Sequence, residues 1–200
     1  MKHLAAVSYT LFSLALSLPA SAGVFVGGEI GSMHDKTTVE SKTAYSYDKV
    51  SAGEHSRTRN LRLGYVWEKH RIYGMFHSAD TGHDTSEIGL KSLHYNYLIP
   101  FPPLPNVKIA LGATAGIFEL TYETAQQEVV DDMEMEGWIY GPEASVLFPL
   151  FDFLELEVGY RYWFSSLEHT DKAMVNDVHH TWTTTTDSVS EWGVGLNFTF

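Results

Sequence analysis

Along most of the chain, bulky apolar residues alternate with small or polar ones. Successive side chains of a strand point to opposite faces, so a period of two marks a two-faced strand. The last stretch shows it without interruption. Trp192, Val194, Leu196, Phe198 and Phe200 share one face, and Glu191, Gly193, Gly195, Asn197 and Thr199 share the other. Seven earlier segments follow the same grammar. Gly23 to about Met33 sets Val24, Val26, Gly28 and Ile30 against Phe25, Gly27, Glu29 and Gly31. About Thr58 to Trp67 sets Leu61, Leu63, Tyr65 and Trp67 against Asn60, Arg62 and Gly64. About Arg71 to His77 is a third strand whose parity stays open, since Ile72-Gly74-Phe76 and Tyr73-Met75 are both apolar.

The fourth segment, about Gly89 to Ile99, faces Leu93, Tyr95, Tyr97 and Ile99 away from Ser92, His94 and Asn96, with Lys91 on the apolar side. Such a lysine fits only near a polar boundary that its long chain can reach. Val107 to Phe118 opposes Val107, Ile109, Leu111, Ala113, Ala115 and Ile117 to Lys108, Ala110, Gly112, Thr114 and Gly116. Gly137 to Phe148 opposes Trp138, Tyr140, Ala144, Val146 and Phe148 to Gly141, Glu143 and Ser145. Pro142 removes a ladder donor there, which predicts a bulge. Leu154 to Phe164 opposes Leu154, Leu156, Val158, Tyr160 and Tyr162 to Glu155, Glu157, Gly159, Arg161 and Trp163.

In a soluble sandwich or lipocalin-like barrel, the face holding Gly, Ser and charge would be the surface. Turned inside out, the same pattern presents an apolar exterior to lipid and a polar interior. The fold expected is all-β: an eight-stranded antiparallel up-and-down transmembrane β-barrel. Connections agree. Those at 68–70, 100–106 and 149–153 are short, whereas about 34–57, 78–88, 119–136 and 165–190 are longer and polar. Outer-membrane barrels alternate short periplasmic turns with long extracellular loops in this way. Trp67, Tyr97, Trp138, Phe148, Phe164 and Trp192, near strand ends, suit aromatic girdles.

The N-terminus adds an address. Lys2 and His3 precede an apolar run from Leu4 to Leu18, then Pro19-Ala20-Ser21-Ala22. A basic start, an apolar core and an Ala-x-Ala site predict a secretory signal peptide at 1–22, leaving 23–200 as the barrel domain. Removing Lys2 moves the formal charge from -12 to -13. That acidity argues against nucleic acid as a partner. The chain has no cysteine, so its stability must come from strand pairing without disulfides.

The segments Tyr140-Gly141-Pro142-Glu143 and Glu157-Val158-Gly159-Tyr160-Arg161-Tyr162, the glycine-rich alternating strands and the terminal Phe200 carry a resemblance. The chain resembles the small eight-stranded bacterial outer-membrane barrels, the porin-like group that includes opacity-type surface proteins and the membrane domain of OmpA. The resemblance implies an integral protein of the cell outer membrane, in contact with its lipids, lipopolysaccharide included. It also implies insertion by the barrel-assembly machinery, for which Trp192, Val194, Leu196, Phe198 and Phe200 form the terminal assembly strand. No peptidoglycan-binding domain follows the last strand, so cell-wall anchoring is not implied. Fold does not name an activity here, because such barrels host several functions.

The candidate chemistry lies mostly inside. Glu29, Arg62, Lys108, Glu143, Glu157 and Arg161 fall on inward faces, as do Glu155 and Glu191. Buried charges survive when paired, so Arg62 and Arg161 are expected to be shared among Glu29, Glu143 and Glu157. These residues form either a structural plug or the lining of a narrow porin-like channel for ions or small solutes. Eight strands leave room for little more than side chains, which favours the plug. The segment from Glu119 to Glu136 holds seven acids and no base. Without ligand spacing it reads as a solvated loop and not a calcium site. His169, Asp171, Asp177, His179 and His180 likewise read as a polar loop. His77-Ser78 with Glu87 invites comparison with lipid A-modifying deacylases, but adjacent strand residues face opposite sides. Asn197-Phe198-Thr199 matches a glycosylation sequon inside a membrane strand and is coincidental. No catalytic residue, metal ligand or cofactor is assigned. The expected role is structural and surface-interacting, carried by four extracellular loops that can meet extracellular ligands.

Overall fold

The computed structural model describes residues 22–43, 45–80, 86–122, 133–175 and 178–200. Eight strands follow in chain order: β1 (Ala22–Lys42), β2 (Tyr47–Trp67), β3 (His70–Asp80), β4 (Ser86–Phe101), β5 (Leu104–Tyr122), β6 (Met133–Phe151), β7 (Leu154–Val175) and β8 (Val178–Thr199). Each pairs antiparallel with its sequence neighbours, and β1 pairs with β8 to close the ring. The strands number as the alternation predicts. The signal peptide expected at 1–22 lies outside the described residues except for Ala22, which is the first residue of β1.

The barrel is apolar outside and charged inside. Leu61 is 67 % exposed, whereas its neighbour Arg62 is 1 % exposed. A continuous apolar exterior of this kind is unstable in water and matched to a bilayer. Trp138, Tyr140, Phe164 and Trp192 ring one end of the exterior, and Tyr97, Phe151, Phe153 and Phe200 ring the other. Lys91 does lie on the outer face, where its ammonium pairs with Glu119 at 3.0 Å. Val107, expected outside, is buried instead. The third strand's parity is settled: Arg71, Tyr73, Met75 and His77 point inward, and Ile72 and Phe76 point outward.

Two expectations need correction. The first is the bulge at Pro142. Tyr140 pairs with Phe164 and Glu143 with Arg161, so the register runs unshifted past the proline. Gly141 explains this, because a Cβ there would collide with the Tyr162 carbonyl, and its absence lets the strands close without an extra residue. Shifts occur instead at Pro149/Phe151, Pro100/Phe101, Lys36/Thr37 and Phe164/Leu167.

The second correction concerns the connections expected at 34–57 and 165–190, whose described residues are largely strand. β1 and β2 stay paired to Lys42↔Tyr47, and β7 and β8 to Val175↔Val178. β8 also follows β1 to Lys42↔Thr181. By contrast, β3 and β4 pair only to Asp80↔Glu87. Among the described residues, four strands in the order β2-β1-β8-β7 therefore continue beyond the rest as a projecting sheet. The hydropathy alternation fades there because both faces carry mostly polar side chains. β-Branched residues such as Thr183, Thr184, Thr185 and Thr186 nevertheless suit a strand.

Candidate functional site: the packed interior

The interior is layered. Toward the long connections, Met33, Leu90, Phe118, Ile139, Trp163, Leu167 and Val189 pack into an apolar cluster. Toward the short turns, Leu98, Ala110 and Leu147 form another, with Val66 against it. Between them sits a dense array of charge, which inward glycines accommodate. A Cβ at Gly193 would strike the Glu29 carboxyl, and one at Gly195 would lie 2.8 Å from Arg62 Nη2.

Arg62 pairs with Glu29 and, through Nη1, with Glu157. Arg161 Nη1 lies 2.7 Å from Glu29 Oε1 and 3.2 Å from Glu191 Oε2, and its Nε lies 3.4 Å from Glu143. Arg71, a third guanidinium, donates to Glu157 at 2.8 Å and stands over the rings of Phe25 and Tyr73. Neutral donors complete the array. Asn60 Nδ2 donates to Glu29 and Glu191, each at 2.8 Å, Thr58 donates to Glu191 at 2.6 Å, and Asn197 donates to Glu157 at 2.8 Å. Each buried carboxylate thus meets a cation or donor, as desolvation demands.

Glu29, Arg62, Glu143, Glu157 and Arg161 converge here. Lys108 does not. Its ammonium pairs with Glu155 at 2.9 Å, with a side chain 40 % exposed, because its position on β5 lies near the short-turn rim. Arg71 and Glu191 join the array in its place. Arg71 was obscured by the undecided parity of the third strand. Once Tyr73 and Met75 are known to face inward, Arg71 must too.

A hydrogen-bonded chain leads away from the guanidiniums. His77 Nε2 lies 3.1 Å from Ser92 Oγ, Ser92 Oγ lies 2.7 Å from His94 Nε2, and His94 Nδ1 lies 2.7 Å from Glu143 Oε2. Four carboxylates face three guanidiniums, and the two imidazoles stand beside Glu191 and Glu143. The Ser92-His94-Glu143 geometry resembles a nucleophile, its base and an orienting acid. With His94 fully buried and Ser92 nearly so, nothing the size of a substrate reaches the hydroxyl. The His77-Ser78 pairing is absent, since His77 points into the barrel and Ser78 out of it. Glu87 and most of 119–136 lie outside the described side chains, as do Asp171 and Asp177. Among the described residues, no three His, Asp or Glu side chains are placed to hold a metal ion.

No family model matches the chain, and no curated protein does. Solved structures do. OprG of Pseudomonas aeruginosa superposes with a TM-score of 0.62 at 11 % identity, covering 90 % of this chain and 97 % of that one. The fold is that of the small bacterial outer-membrane barrels. Neisserial surface protein A matches with a TM-score of 0.54 at 13 % identity, over 90 % of this chain and 99 % of its own. OprH of P. aeruginosa gives 0.54 at 22 % identity, over 89 % and 99 %. At these identities the likeness concerns architecture alone.

Proposed function

We propose that the chain is an integral outer-membrane barrel with a closed interior, acting at the cell surface through the sheet projecting from β1, β2, β7 and β8. The observation that carries this is the uneven height of the ladder. Ten residues from Met33 to Lys42 rise on the order of 30 Å along the strand, beyond the level of Asp80 and Glu87, where the described pairing of β3 with β4 ends. Among the described residues, Tyr47 to Ser56 pair with β1 alone, leaving an edge that carries exposed Tyr47 and Val50. Such an edge accepts an extended segment of a partner by strand addition. The ionic layer held between two apolar layers supports a filled plug over a passage. The burial of His94 and Ser92 supports a non-catalytic role.

The absence of native cysteine makes a direct test simple. In intact cells, Tyr45→Cys on the projecting sheet should react with a membrane-impermeant maleimide, and Phe153→Cys at a short turn should not. Recovery of the protein as a soluble periplasmic species, or labelling of Phe153→Cys alone, would overturn the proposal. Shortening both hairpin tips should preserve the heat-dependent gel shift of a folded barrel. It should abolish any adherence the full-length protein confers on producing cells.

A further inference from the structure

The exterior is not uniformly smooth. Ladder registers place Leu156, Leu196, Gly28, Leu61 and Phe76 in one row across β7, β8, β1, β2 and β3. Gly28 is the gap in that row, for a Cβ built on it meets nothing within 4 Å. The dent opens into an apolar groove of about 870 Å³. One row nearer the projecting sheet lie Ile30, Arg59 and Ser78, and the next row brings Ser32, Arg57 and Trp192. These residues line a second groove of about 630 Å³, which shares Ile30, Arg59, Ser78 and Val194 with the first.

Arg57 and Arg59 are exposed on an otherwise apolar wall. No described carboxylate pairs with either. Arg57 stands opposite Asp80 in the β2–β3 ladder, so Arg59, opposite Ser78, carries more of the argument. A guanidinium among lipid chains is costly, but beside Trp192 at the headgroup level it can meet a phosphate in a forked, charge-assisted contact. An apolar groove running inward from that cation matches an acyl chain running inward from that phosphate.

We infer that this wall is a binding site for one phosphorylated glycolipid of the outer leaflet. Its phosphate sits on Arg59 and Arg57, the hydroxyls of Ser32 and Ser78 lie beside it, and one acyl chain fills the dent over Gly28. The inference rests on the outer-membrane reading above, which cysteine labelling tests separately.

The experiment is lipid retention by the purified, refolded barrel in detergent, measured by native mass spectrometry with lipopolysaccharide and with the same material after phosphatase treatment. Wild type should retain one phosphorylated molecule, and dephosphorylation should reduce retention about tenfold. Gly28→Leu fills the dent in open space, so it should fold with a normal heat shift and lose retention to a similar degree. Arg57→Ala/Arg59→Ala should do the same, with Arg59→Lys serving if the double variant folds poorly. Lys91→Ala, on another part of the exterior, should bind as wild type. Equal retention by Gly28→Leu and wild type, or indifference to phosphate, would show a nonspecific lipid annulus and overturn the site.

Discussion

Replacing Arg161 with Met removes the cation that touches most of the buried acids. Its guanidinium reaches Glu29 at 2.7 and 3.1 Å, Glu191 at 3.2 Å and Glu143 at 3.4 Å. Methionine preserves much of the apolar stem and none of the charge. The array would then hold two guanidiniums, Arg62 and Arg71, against four carboxylates. Breaking a buried pair from one side costs about 3–5 kcal/mol, because the partner is left charged and unsolvated. Glu29→Gln alone should cost less, about 1–3 kcal/mol, since Arg161 keeps Glu191 and Glu143 and Arg62 keeps Glu157. In the double variant the surviving carboxamide no longer needs the lost cation. The two effects should therefore be non-additive, with a coupling of about 1–3 kcal/mol. The assay is equilibrium urea unfolding of the barrel refolded into lipid vesicles, followed by tryptophan fluorescence. A cost below about 1 kcal/mol for Arg161→Met, or simple additivity in the double variant, would refute the view that these charges are buried and mutually compensated.

Four further outcomes follow from particular contacts. Gly141→Val should prevent closure of the β6–β7 ladder, seen as loss of the heat-modifiable gel species, because its side chain would enter the space of the Tyr162 carbonyl. Glu68, at φ 49° in the turn between β2 and β3, occupies the left-handed region; Glu68→Gly should stabilise the barrel in urea unfolding by about 0.5 kcal/mol, the relief exceeding the added chain entropy. On the projecting sheet, the hydrogen bond from Lys49 at 2.8 Å holds the Glu40 carboxyl below its ordinary range. That contact is therefore present near neutral pH and lost as pH falls through the lowered value, and in Lys49→Ala the carboxyl should titrate higher by NMR. Planar-bilayer recordings of the purified protein should show no discrete conductance, and well-resolved openings would contradict a filled interior.

Strand number, direction and most side-chain parities were legible in the sequence. A barrel wall between lipid and a polar interior imposes a period of two that no turn or loop imitates. The charge array was legible only in part. Glu29, Arg62, Glu143, Glu157 and Arg161 each announce an inward position by their place in an alternating run. Arg71 did not, because Ile72, Tyr73, Gly74, Met75 and Phe76 are apolar or neutral on both faces. Lys108 misled for the opposite reason: its parity is correct, but parity says nothing about height along the barrel axis. The projecting sheet was hidden too, since hydropathy reports lipid contact and is silent where both faces are polar.

The sequence by itself determined which side of each wall a residue occupies, because that depends only on neighbours along the strand. Register and strand stagger decided who meets whom. They bring Arg161 of β7 to Glu29 of β1, place His94 between Ser92 and Glu143, and set Gly28 beside Leu61 and Leu196. Apart from Ser92 and His94, which share β4, these pairings join residues on different strands. They arise from closing eight tilted strands into one ring, a constraint that no single strand contains.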